Sequence, residues 1–497
     1  MHKYIMTFDI GTTSLKAALI NRAGDIVAEG SASYRISHPQ PGWAEQDPDE
    51  IWQQICAASR QVIERSGVNS RGISALIFVA PWKNIIALDS QGHLLHNSII
   101  WMDARAHEQS ERLNHILGQV VGSGQEYWPR LMWLKEQHPD LWQRTAHIVG
   151  LNTYFKFRAT GKLYTEPSDD FIRSENAELH AHYKSILEAA NLAEDIDKFP
   201  PACAVTDTVG SLTTSAAQQL GTTSGIPVIS GFGDLVAITW GADKSQLNDT
   251  HIYFGTSSWL VNVIQQRSQL AAPLYFSLNA QQEGAVYALQ TGCLALDWII
   301  EQVYRAEREQ MGHDIYRFIQ GEVSQIPPGC EGLIAAHWLT GELAPFAKNA
   351  KGLFLNLTTR HDRRHMVRAM MESVCFTHHH NMAILEKLTG QARDSIRVVG
   401  GGAMNAVWMQ MLADILQIRV EVPTSPRYSG TLGAYYCAAR ALGWHDEVAT
   451  LSQRNSSRQI FTPNPAWGDV YQKNYAIYMQ LYPALKDIYN QLNGEHQ

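Results

Sequence analysis

The same short pattern occurs twice in this chain, half its length apart. An apolar strand at Tyr4–Phe8 runs into Asp9-Ile10-Gly11-Thr12-Thr13-Ser14 and then into a second apolar stretch, Leu15–Ile20. Far downstream, Ile252-Tyr253-Phe254 runs into Gly255-Thr256-Ser257-Ser258 and then into Trp259-Leu260-Val261. A glycine-hydroxyl turn between two apolar strands reads as a hairpin. One such match is within the reach of chance, because Gly-Thr-Ser turns are common. Both copies lie between apolar strands and divide 497 residues into similar halves, which argues for two related lobes. That length allows about two to four domains at roughly 100–200 residues each. The polar stretch 242–250 is the expected junction.

Around the two hairpins the chain alternates strands and helices, an α/β pattern. Asn21–Asp25 turns the first meander into a third strand from Ile26. The spacing predicts a helix over Pro48–Glu64, capped by Asp47, with Pro48 in its first turn and Glu50 three residues after the cap. A buried strand is expected at Ile73–Ala80. Two more, Ile85–Leu88 and Leu94–Trp101, should be joined by a turn at Asp89-Ser90-Gln91-Gly92. A long helix is expected over His361–Leu388, where Met366, Met370, Val374, Met382 and Leu385 recur at helical spacing. The last fifty residues look helical and polar-faced, like a packing appendage.

Composition narrows the function classes. Forty basic against 48 acidic side chains give a formal charge of −8, which disfavours a dedicated nucleic-acid or anionic-membrane binder. Fourteen Trp, 19 Tyr and 14 Phe with that modest charge rule out intrinsic disorder. No stretch reaches the ~18 apolar residues of a membrane span. The cysteines Cys56, Cys203, Cys293, Cys330, Cys375 and Cys437 form no Cys-x-x-Cys and read as buried thiols in a reducing compartment. A cytoplasmic enzyme is the expectation, with no nucleic acid and no membrane among its partners.

Five segments carry residues suited to chemistry. Asp9 ends a buried strand and is followed by Gly11, Thr12, Thr13 and Ser14, with Lys16 beyond. Glycine lets a phosphate approach the backbone, hydroxyls and N–H groups donate, and the carboxylate suits Mg²⁺, directly or through water. Lys16 would offset phosphate charge. The plainer alternative makes Asp9 an Asx-turn residue and Lys16 a solvated strand residue. Gly255, Thr256 and Ser257 form the matching second cradle. Val398-Val399-Gly400-Gly401-Gly402-Ala403-Met404-Asn405 reads as strand, glycine turn and helix start, a place for a nucleotide phosphate. A ligand-free βα turn is the alternative. A dinucleotide site, with Glu421 as its ribose acid, is weakened by Asn405 at the third glycine position. Gly430-Thr431-Leu432-Gly433-Ala434 opens a helix with a small-residue face. Ile229-Ser230-Gly231-Phe232-Gly233-Asp234 places a carboxylate at a strand-to-helix turn, suited to a general base and equally to an N-cap.

Two look-alikes fall away. His378, His379 and His380 point about 100° apart on a helix and cannot share an ion, and His378 continues an apolar stripe. His107-Glu108-Gln109-Ser110-Glu111 lacks the second histidine of a zinc-protease motif. No Gly-x4-Gly-Lys-Ser/Thr P-loop occurs.

Taken together, FDIGTTSLKA (8–17), GWAEQDPDEIW (42–52), IIWMDAR (99–105), SGFGDLVAITWGA (230–242), YFGTSS (253–258), GELAP (341–345), KGLFLNLTTRHDRRHMVRAMMES (351–373) and VVGGGAMNAVWMQMLADIL (398–416) resemble the FGGY carbohydrate kinase family, of the actin/sugar-kinase/chaperone ATPase fold. The resemblance implies two RNase H-like, actin-like ATPase lobes flanking a central cleft for ATP and sugar. It implies an N-terminal lobe at 1–245, a C-terminal lobe at 246–445 and a helical appendage at 446–497. Asp234 falls on the catalytic base and Asp9 on the Mg²⁺-associated acid, the metal being held through water. Gly11–Ser14 with Lys16, and Gly255–Ser257, fall on phosphate hairpins. Gly401, Gly402 and Asn405 fall on the nucleotide site. Trp101, Asp103 and Arg105 fall on the segment lining the sugar side.

Three positions depart from the family pattern. Ala80-Pro81-Trp82-Lys83-Asn84 stands where many xylulose kinases carry Gln-Met-His, Arg130 stands for a signature lysine, and Asn356 for a signature glycine. Trp82 is then a candidate to stack on a sugar and Lys83 to pair with a carboxylate or oxygen-rich ligand. The alternative for both is ordinary lining of a strand end. The expected activity is ATP- and Mg²⁺-dependent phosphorylation of a small carbohydrate, a ketopentose such as xylulose by family habit. A hexose, polyol, sugar acid or signalling furanone stays open. Family members are often homodimers. A non-catalytic sensor of the same fold would be expected to lose Asp234, which is present.

Overall fold

A computed structural model describes residues 4–494 apart from 268, 269, 271, 280, 344, 345, 348 and 445–457. The chain forms two compact units: Met1–Asp243 with Ser277–Gln282 and Gly430–Gln453, and Lys244–Phe276 with Glu283–Ser429 and Arg454–Gln497.

In the first unit, β1 (Tyr4–Ile10), β2 (Ser14–Asn21) and β3 (Ile26–Ser33) form the expected antiparallel meander. α1 (Pro48–Ser66) follows. Asp47 accepts the Asp49 N–H at 2.9 Å, and Gly67 closes the helix at φ +62°. β4 (Ile73–Ala80), apolar almost throughout, lies parallel beside β1 and is buried on both faces. α2 (Tyr127–Gln137) covers a second apolar cluster. β5 (Thr208–Ser211) and β6 (Pro227–Gly233) complete a six-stranded sheet, with β6 parallel to β4. α3 (Asp234–Gly241) leaves directly from β6. Three parallel neighbours, β1, β4 and β6, therefore end at one sheet edge. That edge is where open α/β sheets place ligands.

The second unit repeats this plan. β7 (Thr250–Phe254) and β8 (Ser258–Ile264) form its hairpin, extended by β9 (Leu274–Ser277) and β10 (Glu283–Leu289). α4 (Cys293–Val303) and the long α5 (Arg363–Thr389) follow, the latter capped reciprocally by Asp362 and His365. β11 (Ser395–Val399) runs parallel to β7 and leads into α6 (Ala406–Leu416). β12 (Arg419–Pro423) runs parallel to β11. α7 (Ser429–Ala441), β13 (Arg458–Phe461) and α8 (Gly468–Asn493) end the chain. The repeat seen in the sequence is thus a repeat of topology: an antiparallel meander followed by parallel strands, twice.

The units divide at Asp243/Lys244, inside the expected junction 242–250, while the later segments are shared out differently. α7 belongs to the first unit, where a Cβ at Gly433 would sit 1.9 Å from the Ala237 carbonyl and Cys437 Sγ lies 3.2 Å from the Val205 carbonyl. α8 is no appendage. Tyr471, Tyr478, Leu481 and Tyr489 lie in the main core of the second unit, and Tyr478 bonds Trp338 Nε1 (3.0 Å) and Thr377 Oγ1 (2.9 Å). The Asp89–Gly92 turn forms, but it joins no long hairpin. Ile86–Leu88 pairs with His147–Val149, and the expected strand at 94–101 shrinks to Ser98–Ile99 against Glu45–Gln46. All six cysteines are free, and Cys203 and Cys293 are only partly buried. Asn356 takes φ +66°, which explains glycine as the usual residue there, since asparagine is among the few others that tolerate it. Among the described residues no helix is long and apolar enough to cross a membrane.

Candidate active site

The β1–β2 turn is closed by its own backbone: Gly11 N–H donates to the Ser14 carbonyl at 2.8 Å. Asp9 is therefore not spent on closing the turn. It pairs in register with Lys16, whose charge partly offsets the rise that burial imposes on the Asp9 carboxyl. Three side chains brace the turn. Tyr34 OH donates to the Gly11 carbonyl and also lies 3.2 Å from the Ser14 carbonyl. Gln46 Nε2 donates to the Thr12 carbonyl at 2.6 Å, and Trp101 Nε1 to Thr12 Oγ1 at 3.2 Å. Thr13 and Ser14 stay exposed. At the start of α7, a Cβ on Gly430 would come 2.6 Å from Asp9 Oδ2, so glycine keeps the space beside that carboxylate open.

Asp234 is the first residue of α3. Gly233 is the N-cap and no side chain caps the helix, so the plain capping role is not the one Asp234 plays. Its Oδ1 accepts the Leu235 N–H at 2.9 Å. Burial drives its pKa up to about 7; the Leu235 N–H pulls it down, and the charge of Asp9 pushes it further up. A carboxylate poised near neutrality suits a general base. The preceding glycine is fixed from another segment, with Gly233 N–H donating to Ser168 Oγ at 2.8 Å.

The turn after β4 lies beside this carboxylate. Ala80 pairs with Gly233, and a Cβ on Gly233 would be 3.8 Å from Trp82 Cβ. Trp82 packs against Phe171 at 5.8 Å between ring centres. Lys83 Nζ meets Glu126 Oε2 at 2.7 Å, so its charge already has a protein partner. Arg130, fully buried, donates to the carbonyls of Lys83 (2.6 Å), Ile100 (2.6 Å) and Ile99 (3.2 Å). It acts as a clamp on the chain around the site. Trp101 remains 37% exposed, leaving a ring face available. Asp103, expected on the sugar side, is completely buried. Its oxygens take the Ala44 N–H at 2.5 Å and the Arg105 guanidinium at 2.8–2.9 Å, which makes it a support for this segment.

In the second unit, Gly255 N–H donates to the Ser257 carbonyl at 3.0 Å, closing the equivalent turn. The Gly255 and Thr256 carbonyls accept N–H groups of Gly292, Cys293 and Leu294 at the start of α4 (2.7–3.1 Å). Thr256 is exposed and Ser257 half-buried. Gly400 takes φ +99°, and a Cβ there would lie 2.3 Å from the Phe254 carbonyl oxygen. Gly401 faces open space, with nothing within 4 Å of a Cβ position. Asn405 accepts the Trp408 N–H at 3.1 Å as the cap of α6. Glu421 lies 3.7 Å from Arg397 across paired strands. His378 is a core histidine, as expected, with Nε2 2.8 Å from Ser258 Oγ. Among the described residues no cluster of metal-ligating side chains occurs.

Tyr34, Ser168, Asp169 and Glu126 were not singled out in the sequence. The acid run Glu166-Pro167-Ser168-Asp169-Asp170 was the available signal, since three acids beside a proline in a loop are costly to bury without a purpose.

The model of the FGGY family of carbohydrate kinases, N-terminal domain, matches residues 4–241, and that of its C-terminal domain matches residues 251–442. A xylulose kinase of Bacillus subtilis (strain 168) is 26% identical, covering 98% of both chains. A gluconokinase of Bacillus licheniformis is also 26% identical, covering 99% of this chain and 98% of its own. The crystal structure of ligand-bound xylulose kinase from Lactobacillus acidophilus shares the fold, with a TM-score of 0.84 at 24% identity over 99% of this chain and all of that one. With both halves matched in order and the repeated hairpin topology in place, the chain belongs to the FGGY family of carbohydrate kinases.

Proposed function

We propose that this carbohydrate kinase transfers the γ-phosphoryl group of ATP to a hydroxyl of a ketopentose such as xylulose, with Asp234 as the general base. Sugar kinases of this family are ATP-dependent. The observation that carries the base assignment is Asp234 itself: a carboxylate at the sheet edge, with a pKa near 7 and no capping duty. It takes the proton of the acceptor hydroxyl. That oxygen forms the new bond to the γ-phosphorus as the bond to the β–γ bridging oxygen breaks, and ADP leaves. Positioning and electrostatics supply most of the rate in such a transfer.

The turns at Gly11–Ser14 and Gly255–Ser257 offer N–H and hydroxyl donors for phosphate oxygens, while Gly401 leaves room for the nucleotide; Gly402 is packed against Cys293, where a Cβ would lie 2.7 Å from Sγ. Two acids with raised pKa values, and a glycine that keeps space beside Asp9, fit a hydrated divalent cation. Asp9 would hold Mg²⁺ through water, and the ion would offset phosphate charge. A sugar acid is the second reading, favoured by the likeness to a gluconokinase. ADP release over a panel of pentuloses, polyols and aldonates tests the proposal. A response to a pentulose is expected, and a flat response throughout would contradict it.

A further inference from the structure

The turn beside the base carries a lysine in an unusual setting. Lys83 adopts φ +57°, a left-handed conformation that non-glycine residues seldom take. Two backbone bonds hold it there. Its N–H donates to Asp169 Oδ1 at 2.9 Å, and its carbonyl accepts from Arg130 Nη2 at 2.6 Å. The ammonium is held too, 2.7 Å from Glu126 Oε2 and 4.5 Å from the centre of the Trp82 ring. The two charged side chains are only 11% and 21% exposed. Gly122 makes room for this arrangement, since a Cβ there would lie 1.9 Å from Glu126 Cγ. A largely buried ion pair gains little net stability after desolvation, so a pair this firmly built invites a role in specificity.

Its surroundings say which role. Asp169, held by the Lys83 N–H, adjoins Ser168, which fixes Gly233 next to the base. Burial, with the nearby charge of Glu166, holds the Asp169 carboxyl well above the usual range. Of the neighbouring cations, Lys83 is matched by Glu126, Arg173 by Asp170 at 3.2 Å and buried Lys156 by the fields of Glu166 and Asp169, while Arg130 spends its donors on carbonyls within the fields of Glu126 and Asp103. An anionic acceptor brought beside the ionised Asp234 would meet like charge, with the lysine already committed.

Resting on the kinase reading of Asp234, we propose that the Lys83–Glu126 pair keeps the acceptor site without free positive charge, so that it takes uncharged polyhydroxy acceptors and turns away sugar acids. Exclusion by an unfavourable charge environment is a usual route to specificity. ADP release is measured with D-xylulose, ribitol and D-gluconate on wild type, Glu126→Gln and Lys83→Gln. Wild type should favour its best neutral acceptor over gluconate by about a hundredfold in kcat/KM. Glu126→Gln leaves the lysine charge unmatched and should raise the gluconate-to-neutral ratio by about tenfold. Lys83→Gln leaves the carboxylate behind and should lower it. Opposite responses mark the charge effect, because lost packing would move both variants the same way. Equal ratios in all three proteins while neutral acceptors turn over would overturn the inference and leave the kinase intact. So would a wild type that uses gluconate as well as xylulose, and this wild-type comparison decides alone if Glu126→Gln does not fold. No ADP release with any acceptor would overturn both.

Discussion

Asp234 owes its character to where the chain puts it. A carboxyl at the end of a buried strand loses hydration, and a second acid nearby, Asp9, raises the cost of charging it. Under the proposed role Asp234 must be ionised to accept a proton, and its pKa lies near 7. We therefore predict that kcat/KM for the sugar rises with pH up to about 7, changing about tenfold per unit on the acid side, and levels above it. A profile flat from pH 5 to 8 would contradict this. Asp9 and Asp234 were legible in the sequence because each lies at the end of an apolar stretch within two residues of a glycine. Asp169 and Glu126 were not, because their meaning comes from contacts with the Lys83 turn, 86 and 43 residues away. Lys83 was legible as a residue near the sugar, but its ion pair was not.

At the scale of the element, each glycine-hydroxyl turn is a small hairpin held from outside. In the first, Tyr34 reaches 23 residues back to the Gly11 carbonyl. Tyr34→Phe removes that donor and should cost about 1 kcal/mol of stability, with a several-fold rise in KM for ATP. Thermal melts and steady-state kinetics check it, and an unchanged KM would show that the brace does not serve nucleotide binding. α7 contributes differently. Gly430→Ala would place a Cβ 2.6 Å from Asp9 Oδ2 and push the carboxylate aside. Alanine also favours the helix by about 0.5–1 kcal/mol, so folding should suffer less than activity. The expected result is a raised Mg²⁺ requirement at a nearly constant melting temperature, read by titrating the metal. The glycines of 430–434 were readable as a close-packing face. Their partner Asp9 was not, since nothing in the local pattern says which distant strand end α7 will meet.

Across the whole molecule, the duplicated hairpin made the two-lobed plan readable. Apolar strands around a glycine-hydroxyl turn favour a hairpin, and two copies half a chain apart imply two sheets. The path of the chain near its end was hidden, because strand and helix periodicity specify elements but not which core they join. Thus α7 enters the first unit and α8 the second. Deleting 468–497 should remove Tyr471, Tyr478, Leu481 and Tyr489 from the core of the second unit. At about 1.5–3 kcal/mol for each large apolar side chain buried, that loss is comparable to the whole margin of an ordinary domain, about 5–15 kcal/mol. The truncated chain should then show no ATP-induced rise in melting temperature. A normal rise would show that α8 is dispensable.

The central claim is that Asp234 takes the proton from the acceptor hydroxyl. The most direct measurement is transfer of label from γ-labelled ATP to D-xylulose by wild type and Asp234→Asn, with ATP affinity measured by calorimetry on both proteins. The account predicts transfer reduced by about a thousandfold at an essentially unchanged ATP affinity. Transfer by Asp234→Asn at the wild-type rate would contradict it.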